Sequence, residues 1–276
     1  MTVDQMPSNA STYLLGHADP EVQRLLKQAK LYDGYTEHAL REAGLRPGMR
    51  VLDVGCGPGD VSFVAAKLVG EQGSVLGIDA ADIVELARSR AAERGLNWVR
   101  FEQTTVGDLS LDEPVDAVIG RLILMHLPDP VATLRQLAGF VRPGGFLAFS
   151  EYDMTAARTV PKVPLWEDAR DVIAATFTAM GLSTTFAATL PALFGAAGLS
   201  APRLTLGQPV GGADHPEVVE FVADTLHTLV PAAEKLGVPL DGFADPDALR
   251  SRLLDDLAAA GAIATTPALI TAWSRV

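Results

Sequence analysis

The chain has 276 residues, 48% hydrophobic and 20% charged, enough apolar material for one large domain or a domain with a cap. A net charge of −12 speaks against a nucleic-acid binder or a protein of anionic membrane surfaces, since both need basic patches. Cys56 is the single cysteine, so no intrachain disulfide can form, and the chain shows neither a charged-then-apolar leader nor a run approaching the roughly 20 apolar residues of a membrane span; it reads as soluble and cytoplasmic.

Residues 1–12 carry no element pattern. Asp19-Pro20-Glu21 predicts a helix start, with Asp as cap, Pro in the first turn, and Val22, Leu25, Leu26 and Ala29 as the apolar face. A second helix is predicted from Tyr35 to Ala43, stopped by Gly44, and Arg46-Pro47-Gly48 turns the chain into a first strand. Strands near 50–55, 74–79, 98–103, 115–120 and 145–151 then alternate with helices near 59–69, 81–94 and 130–140. Such alternation predicts a mainly parallel sheet with helices on both faces, which binds ligands outside the carboxyl ends of its strands. Asp53, Asp79, Thr105, Arg121 and Glu151 all fall at those ends. Beyond Glu151 the alternation breaks. A loop at 160–164 leads to an amphipathic helix over 165–180, and a short helix over 190–199 ends on a glycine stop. Residues 214–260 read as helical, broken by Pro231, Pro239 and Pro246.

The string Val51-Leu52-Asp53-Val54-Gly55-Cys56-Gly57-Pro58-Gly59-Asp60 is a strand, a glycine turn and a helix start. Glycine there permits positive φ and a close approach of backbone to ligand. The dinucleotide fingerprint G-x-G-x-x-G would place its third glycine one residue later, where this chain has Asp60. A carboxylate there repels a pyrophosphate, and Asp53, just before the turn and facing the same crevice, suits a ligand with a cationic group. Asp79 ends the second strand, where a carboxylate can take both ribose hydroxyls. An adenosine with a cationic amino-acid tail fits this set better than NAD.

With these residues the chain resembles a class I S-adenosylmethionine-dependent methyltransferase, of the group that includes ubiquinone and menaquinone methyltransferases. Three further blocks carry the resemblance: Phe101–Val106, Asp116–Pro128 and Val141–Leu147. It spans roughly residues 45–152 and is specific for fold and cofactor but not for substrate. It implies an α/β fold, a doubly wound Rossmann-like seven-stranded sheet, mostly parallel with an antiparallel last strand, the sixth and seventh strands lying near 202–208 and 268–273. It divides the chain into an N-terminal helical segment (1–44), a core (45–154, 188–211 and 261–276) and helical cap insertions (155–187 and 212–260).

The resemblance also implies the site. S-adenosylmethionine would be held by Asp53, Gly55, Cys56, Gly57, Gly59, Asp79, Ala80, Thr105, Val106, Arg121 and Met125, with Tyr13 and Gln28 of the N-terminal segment closing over it. Thr105 departs from the Asp or Glu that often meets the adenine amino group. His126 is a candidate general base poised near neutral pH, and Glu151 and Tyr152, ending the fifth strand, could orient an acceptor. Each residue also has a plainer reading. Cys56 suits a tight turn, Asp53 can hold turn amides, Arg121 can be a surface residue, His126 can be structural, and Glu151 can cap a helix. His215 and His227 lack spaced partners, so no metal is expected. Trp166, Phe177, Phe186 and Phe221 are core residues or walls of an apolar acceptor pocket. The expected activity is methylation of a small organic molecule at O, N or C. The rival readings are a protein that keeps the cofactor without transferring methyl, and a dinucleotide-dependent oxidoreductase. The oligomeric state stays open, a homodimer included.

Overall fold

The structure, a computed structural model, describes residues 19–240, 242–243 and 245–276. Tyr13 lies outside the described residues.

Helix α1 runs unbroken over Asp19–Ala43, where the sequence predicts two helices. Gly34, near the expected break, is exposed and stays helical. The intrinsic cost of about 1 kcal/mol for an interior glycine is offset by packing on either side. Leu40 and Ala43 enter the core beside helix α2 (Asp60–Val69), and Tyr32 is fully buried in a cluster with Trp166 and Phe221. Gly44, at φ 100°, ends the helix, as the sequence indicates.

The main sheet is built from β1 (Arg50–Val54), β2 (Ser74–Asp79), β3 (Val99–Gln103), β4 (Val115–Arg121), β5 (Val141–Asp153), β7 (Arg203–Gly207) and β10 (Ala268–Arg275). Its order is β3-β2-β1-β4-β5-β10-β7; β10 runs antiparallel to both neighbours and the other pairings are parallel. This is the expected doubly wound sheet with one reversed strand. Alternation sorts the side chains of each strand between two layers. Val51, Ala117, Ile119, Phe146 and Ala148 pack toward α1, α2 and α3 (Val84–Glu93). Leu52, Val118, Leu147 and Phe149 pack toward α4 (Pro130–Ala138) and α6 (Leu190–Ala196).

A second core joins α5 (Pro164–Ala179), α7 (Pro216–Leu236) and α8 (Pro246–Ala260). It meets the sheet at the carboxyl ends of β4 and β5, through Leu122, Tyr152 and Met154. Helix α7 continues through Pro231, contrary to the predicted break. Leu226, Leu229 and Ala233 are buried on either side of the proline, and that packing outweighs one lost backbone bond. Three short strands absent from the sequence reading, β6 (Arg158–Val160), β8 (Val210–Gly211) and β9 (Ile263–Thr265), form a separate antiparallel sheet in the order β6-β9-β8. They are too short to carry a periodic signal. Ion pairs from Lys27 to Asp224 (2.5 Å) and from Arg250 to Asp224 (3.1 Å) tie α1, α7 and α8 together. Among the described residues no helix is long and apolar enough to cross a membrane, and no three His, Cys, Asp or Glu side chains are grouped to hold a metal ion.

Candidate active site

The glycine turn after β1 is held from two sides. The Cys56 amide donates to Ile78 O at 3.0 Å, and the Gly57 amide donates to the Asp79 carboxylate at 3.0 Å. Gly55 sits at φ 67°, and a Cβ there would come within 2.5 Å of the Ile123 side chain. Gly57, at φ 51°, would meet nothing within 4 Å, so its backbone borders open space. Gly59 packs under Phe101, Phe63 and Ala87. One glycine therefore admits the neighbouring loop, one faces the crevice, and one admits the helix layer. Cys56 is buried in the core, and burial pushes its thiol well above the usual range.

Asp53 is 1% exposed. Its Oδ2 accepts from Ser62 Oγ at 2.6 Å, and its Oδ1 is buried without a partner. Burial lifts its pKa to about 7, against the opposing pull of Ser62 and Arg121. Such an oxygen is costly unless something donates to it, and a cationic amine would both satisfy and ionise it. Asp60, by contrast, is already paired. Its carboxylate pairs with Arg90 at 2.6 Å, and Arg90 also reaches Pro58 O. The repulsion that the sequence reading assigned to Asp60 is thus largely neutralised, so the choice of ligand rests on Asp53 and Asp79.

Asp79 ends β2 half-buried, accepting from Gly57 N and Ala81 N, each at 3.0 Å. The carbonyl of Ala80 accepts from Gln103 at 3.2 Å. Thr105 is exposed; its hydroxyl donates to Asp108 at 2.7 Å within its own turn. Val106 O accepts from Gln136 of α4 at 2.8 Å.

Arg121 is no surface arginine. Its side chain is 6% exposed and donates to Asp33 at 3.0 Å and Thr36 at 2.9 Å on α1. Next to it, Leu122 adopts φ 58°, a left-handed conformation costing a leucine about 1–2 kcal/mol. The chain then turns through Leu124–His126, which carries Met125. Burial, aided by the Arg24 charge, lowers the His126 pKa to about 4. The expectation of a base poised near neutral pH is corrected here: the imidazole is neutral at pH 7 but a weak base.

Glu151 is fully buried. Its Oε1 accepts from the amides of Ile123 (3.1 Å) and Leu124 (2.7 Å), and Oε2 has no partner. Burial raises its pKa to about 8. The Tyr152 ring lies against Tyr32, centroids 5.1 Å apart and planes tilted by 50°, and the Tyr32 hydroxyl donates to Thr266 (2.6 Å) or the carbonyl of Pro267 (2.8 Å). Gln28 accepts from Arg24 at 2.9 Å, and Arg24 holds Glu21 through two bonds of 2.8 and 2.7 Å. Sequence reasoning missed the group Arg24, Tyr32, Asp33 and Thr36. The signal was available, because residues 24, 28, 32 and 36 share one face of an uninterrupted helix. Splitting that helix hid it. The aromatic residues follow the core reading. Trp166 and Phe221 are buried in the cap core, Phe177 packs at its margin, and Phe186 joins the layer beside α6.

Comparison with known proteins agrees with this geometry. Residues 45–183 match a family described as methyltransferase domain. The chain is 41% identical over 114 residues to a ubiquinone biosynthesis O-methyltransferase from Xanthomonas campestris, covering 40% of this chain and 46% of that protein. It is 40% identical over 121 residues to the aklanonic acid methyltransferase DauC of Streptomyces sp., covering 42% and 54%. The matched stretch thus spans about half the length of these curated relatives. Among solved structures, the YcgJ protein of Bacillus subtilis shares the fold at a TM-score of 0.54 and 18% identity, covering 88% of this chain and 99% of that one.

Proposed function

Because the chain belongs to the methyltransferase-domain family, whose cofactor is S-adenosylmethionine, we propose that it transfers the methyl group of that cofactor to a small organic acceptor. The observation that carries the reading is the unpartnered, buried Asp53 Oδ1 beside a glycine turn whose Gly57 borders open space. These residues fit the cofactor: Asp53 would take a cationic amine, Asp79 the ribose hydroxyls, and Gly55 to Gly59 the close backbone approach. When bound, S-adenosylmethionine supplies a methyl group already activated on a sulfonium.

What remains for the chain is alignment and exclusion of water. Leu122 and Tyr152 bring the apolar cap core to the strand ends, and Arg121, Tyr152 and His126 add a few directed polar groups, the composition of a small-ligand pocket. The net charge of −12 favours a small acceptor over a polyanion. The single, buried thiol suits a reducing, cytoplasmic setting.

The test is calorimetry with S-adenosylmethionine and its demethylated product, with NAD(H) in parallel. A micromolar Kd for either adenosyl ligand, on the order of −8 kcal/mol, is expected, with no heat from NAD(H). The reverse pattern would make the protein an oxidoreductase. Mass spectrometry on an acceptor panel then separates methyl transfer from mere cofactor retention.

His126 enters as a neutral polar group of the crevice. On an acceptor from that panel, His126→Ala is expected to lower turnover less than tenfold. A loss of about 10²–10⁴ would instead make it the general base.

A further inference from the structure

The loop after β4 seats Ile123 beside the glycine turn and carries Leu122 against the core of α5, α7 and α8, and its backbone is strained. Leu122 is the only non-glycine residue at positive φ among the described residues. Its amide still donates to Ser150 O at 2.8 Å, so the strand pairing holds up to the point of strain. The left-handed turn at Leu122 then aims the next two amides, Ile123 and Leu124, at a single oxygen of Glu151. Strain of this kind persists only where the surroundings over-determine it.

We propose that Glu151 is a positioning residue, whose carboxyl clamps the backbone of Ile123 and Leu124 and thereby holds the loop against the cofactor turn. Three observations carry this. First, the carboxyl is fully buried and one of its oxygens accepts from both amides, so what it holds is backbone. Second, burial favours its neutral acid, so the clamp brings no buried charge with it. Third, the loop's far side is seated on the turn: Ile123 occupies the space a Cβ on Gly55 would need, and it also lies against Gly120. Releasing the clamp therefore frees Ile123 from Gly55 and displaces Met125 and His126, which follow on the same turn. The inference deepens the methyltransferase reading and rests on it for the cofactor. It assigns Glu151 a role through the loop, not contact with an acceptor.

The experiment combines amide hydrogen exchange on the free protein with calorimetry of S-adenosylhomocysteine, for wild type, Glu151→Gln and Glu151→Leu. Gln keeps the accepting Oε1; Leu keeps bulk but no acceptor. In Glu151→Leu the amides of Ile123 and Leu124 are expected to exchange at least about tenfold faster, with β1 and β4 unchanged, and ligand affinity is expected to fall about tenfold. Glu151→Gln is expected to restore both to within about threefold of wild type. Glu151→Asp, one methylene short of the amides, reads the same way should E151L fail to fold. Unchanged exchange in E151L, or exchange in E151Q as fast as in E151L, overturns the clamp. Faster exchange with unchanged affinity overturns the link to the cofactor turn. If wild type binds no S-adenosylhomocysteine, the cofactor reading fails, and the exchange arm still decides the clamp.

Discussion

Asp79→Ala is expected to weaken S-adenosylhomocysteine binding by about 10–150-fold, or about 1.5–3 kcal/mol, the worth of hydrogen bonds to a charged group. The carboxylate holds the Gly57 and Ala81 amides, each at 3.0 Å. It thus anchors the turn that would cradle the ligand, and its remaining lone pairs at the strand end would be open to ribose hydroxyls. Substitution removes both at once, which makes this the most damaging single change expected in the crevice. Asp79→Asn separates the two roles, because one amide oxygen can still take the Gly57 N–H while a full ribose clamp is lost. An intermediate loss is expected for Asn, with thermal stability near wild type. If Asn binds like wild type and Ala does not, Asp79 serves the turn alone. If neither changes affinity, the cofactor lies elsewhere.

The sheet was legible because its strands repeat a simple physical signal. Val51-Leu52-Asp53-Val54 has to be a strand buried on both faces, and the glycines after it admit few conformations. The crevice residues Asp53 and Asp79 were legible for the same reason: a strand end followed by a turn dictates where a carboxylate lies. What sequence alone hides is the partner of each charged side chain. Asp60 was read as facing the ligand, yet Arg90, thirty positions on, claims it. From sequence Arg121 reads as a cofactor partner or a surface residue, yet Asp33 and Thr36 claim it across more than eighty residues. Burial hides equally well. No local pattern announces that His126 is desolvated enough to titrate near pH 4 or that Glu151 is sealed beneath its own loop. Those facts come from segments that meet only in the folded chain, a tertiary property.

Stability is expected to fall as pH rises from 5 to 8, opposite to the usual behaviour of salt-bridged carboxylates. Burial raises Asp53 from an ordinary 3.8 to about 7 and Glu151 from 4.5 to about 8. In that window the folded chain holds protons that the unfolded chain has released, so unfolding becomes more favourable with each step up in pH. The contribution of each group is fully present below its unfolded pKa and is lost as pH climbs through the folded value. Each such carboxyl changes stability by at most about 1.4 kcal/mol per pH unit. Asp33, raised chiefly by burial, acts in the same direction. His126 acts in the opposite direction. With its pKa lowered from 6.5 to about 4, it adds stability as pH rises toward 6.5 and nothing beyond. Between about pH 4.5 and 6.5 it offsets one of the two carboxyls; above 6.5 that offset ends just as Asp53 reaches its own folded pKa of about 7, so the decline stays close to that of a single carboxyl up to about pH 8. Denaturant unfolding of the free protein at pH 5, 6, 7 and 8 measures the slope directly. Glu151→Gln, which cannot ionise and keeps the loop acceptor, should flatten it and gain on wild type by as much as a few kcal/mol at pH 8. A wild-type stability that is level or rising from pH 5 to 8 would show that these carboxyls ionise in the fold at ordinary pH. Equal slopes in wild type and E151Q would show that for Glu151 alone. In either case water or a counter-charge must reach the oxygen that now stands without a partner.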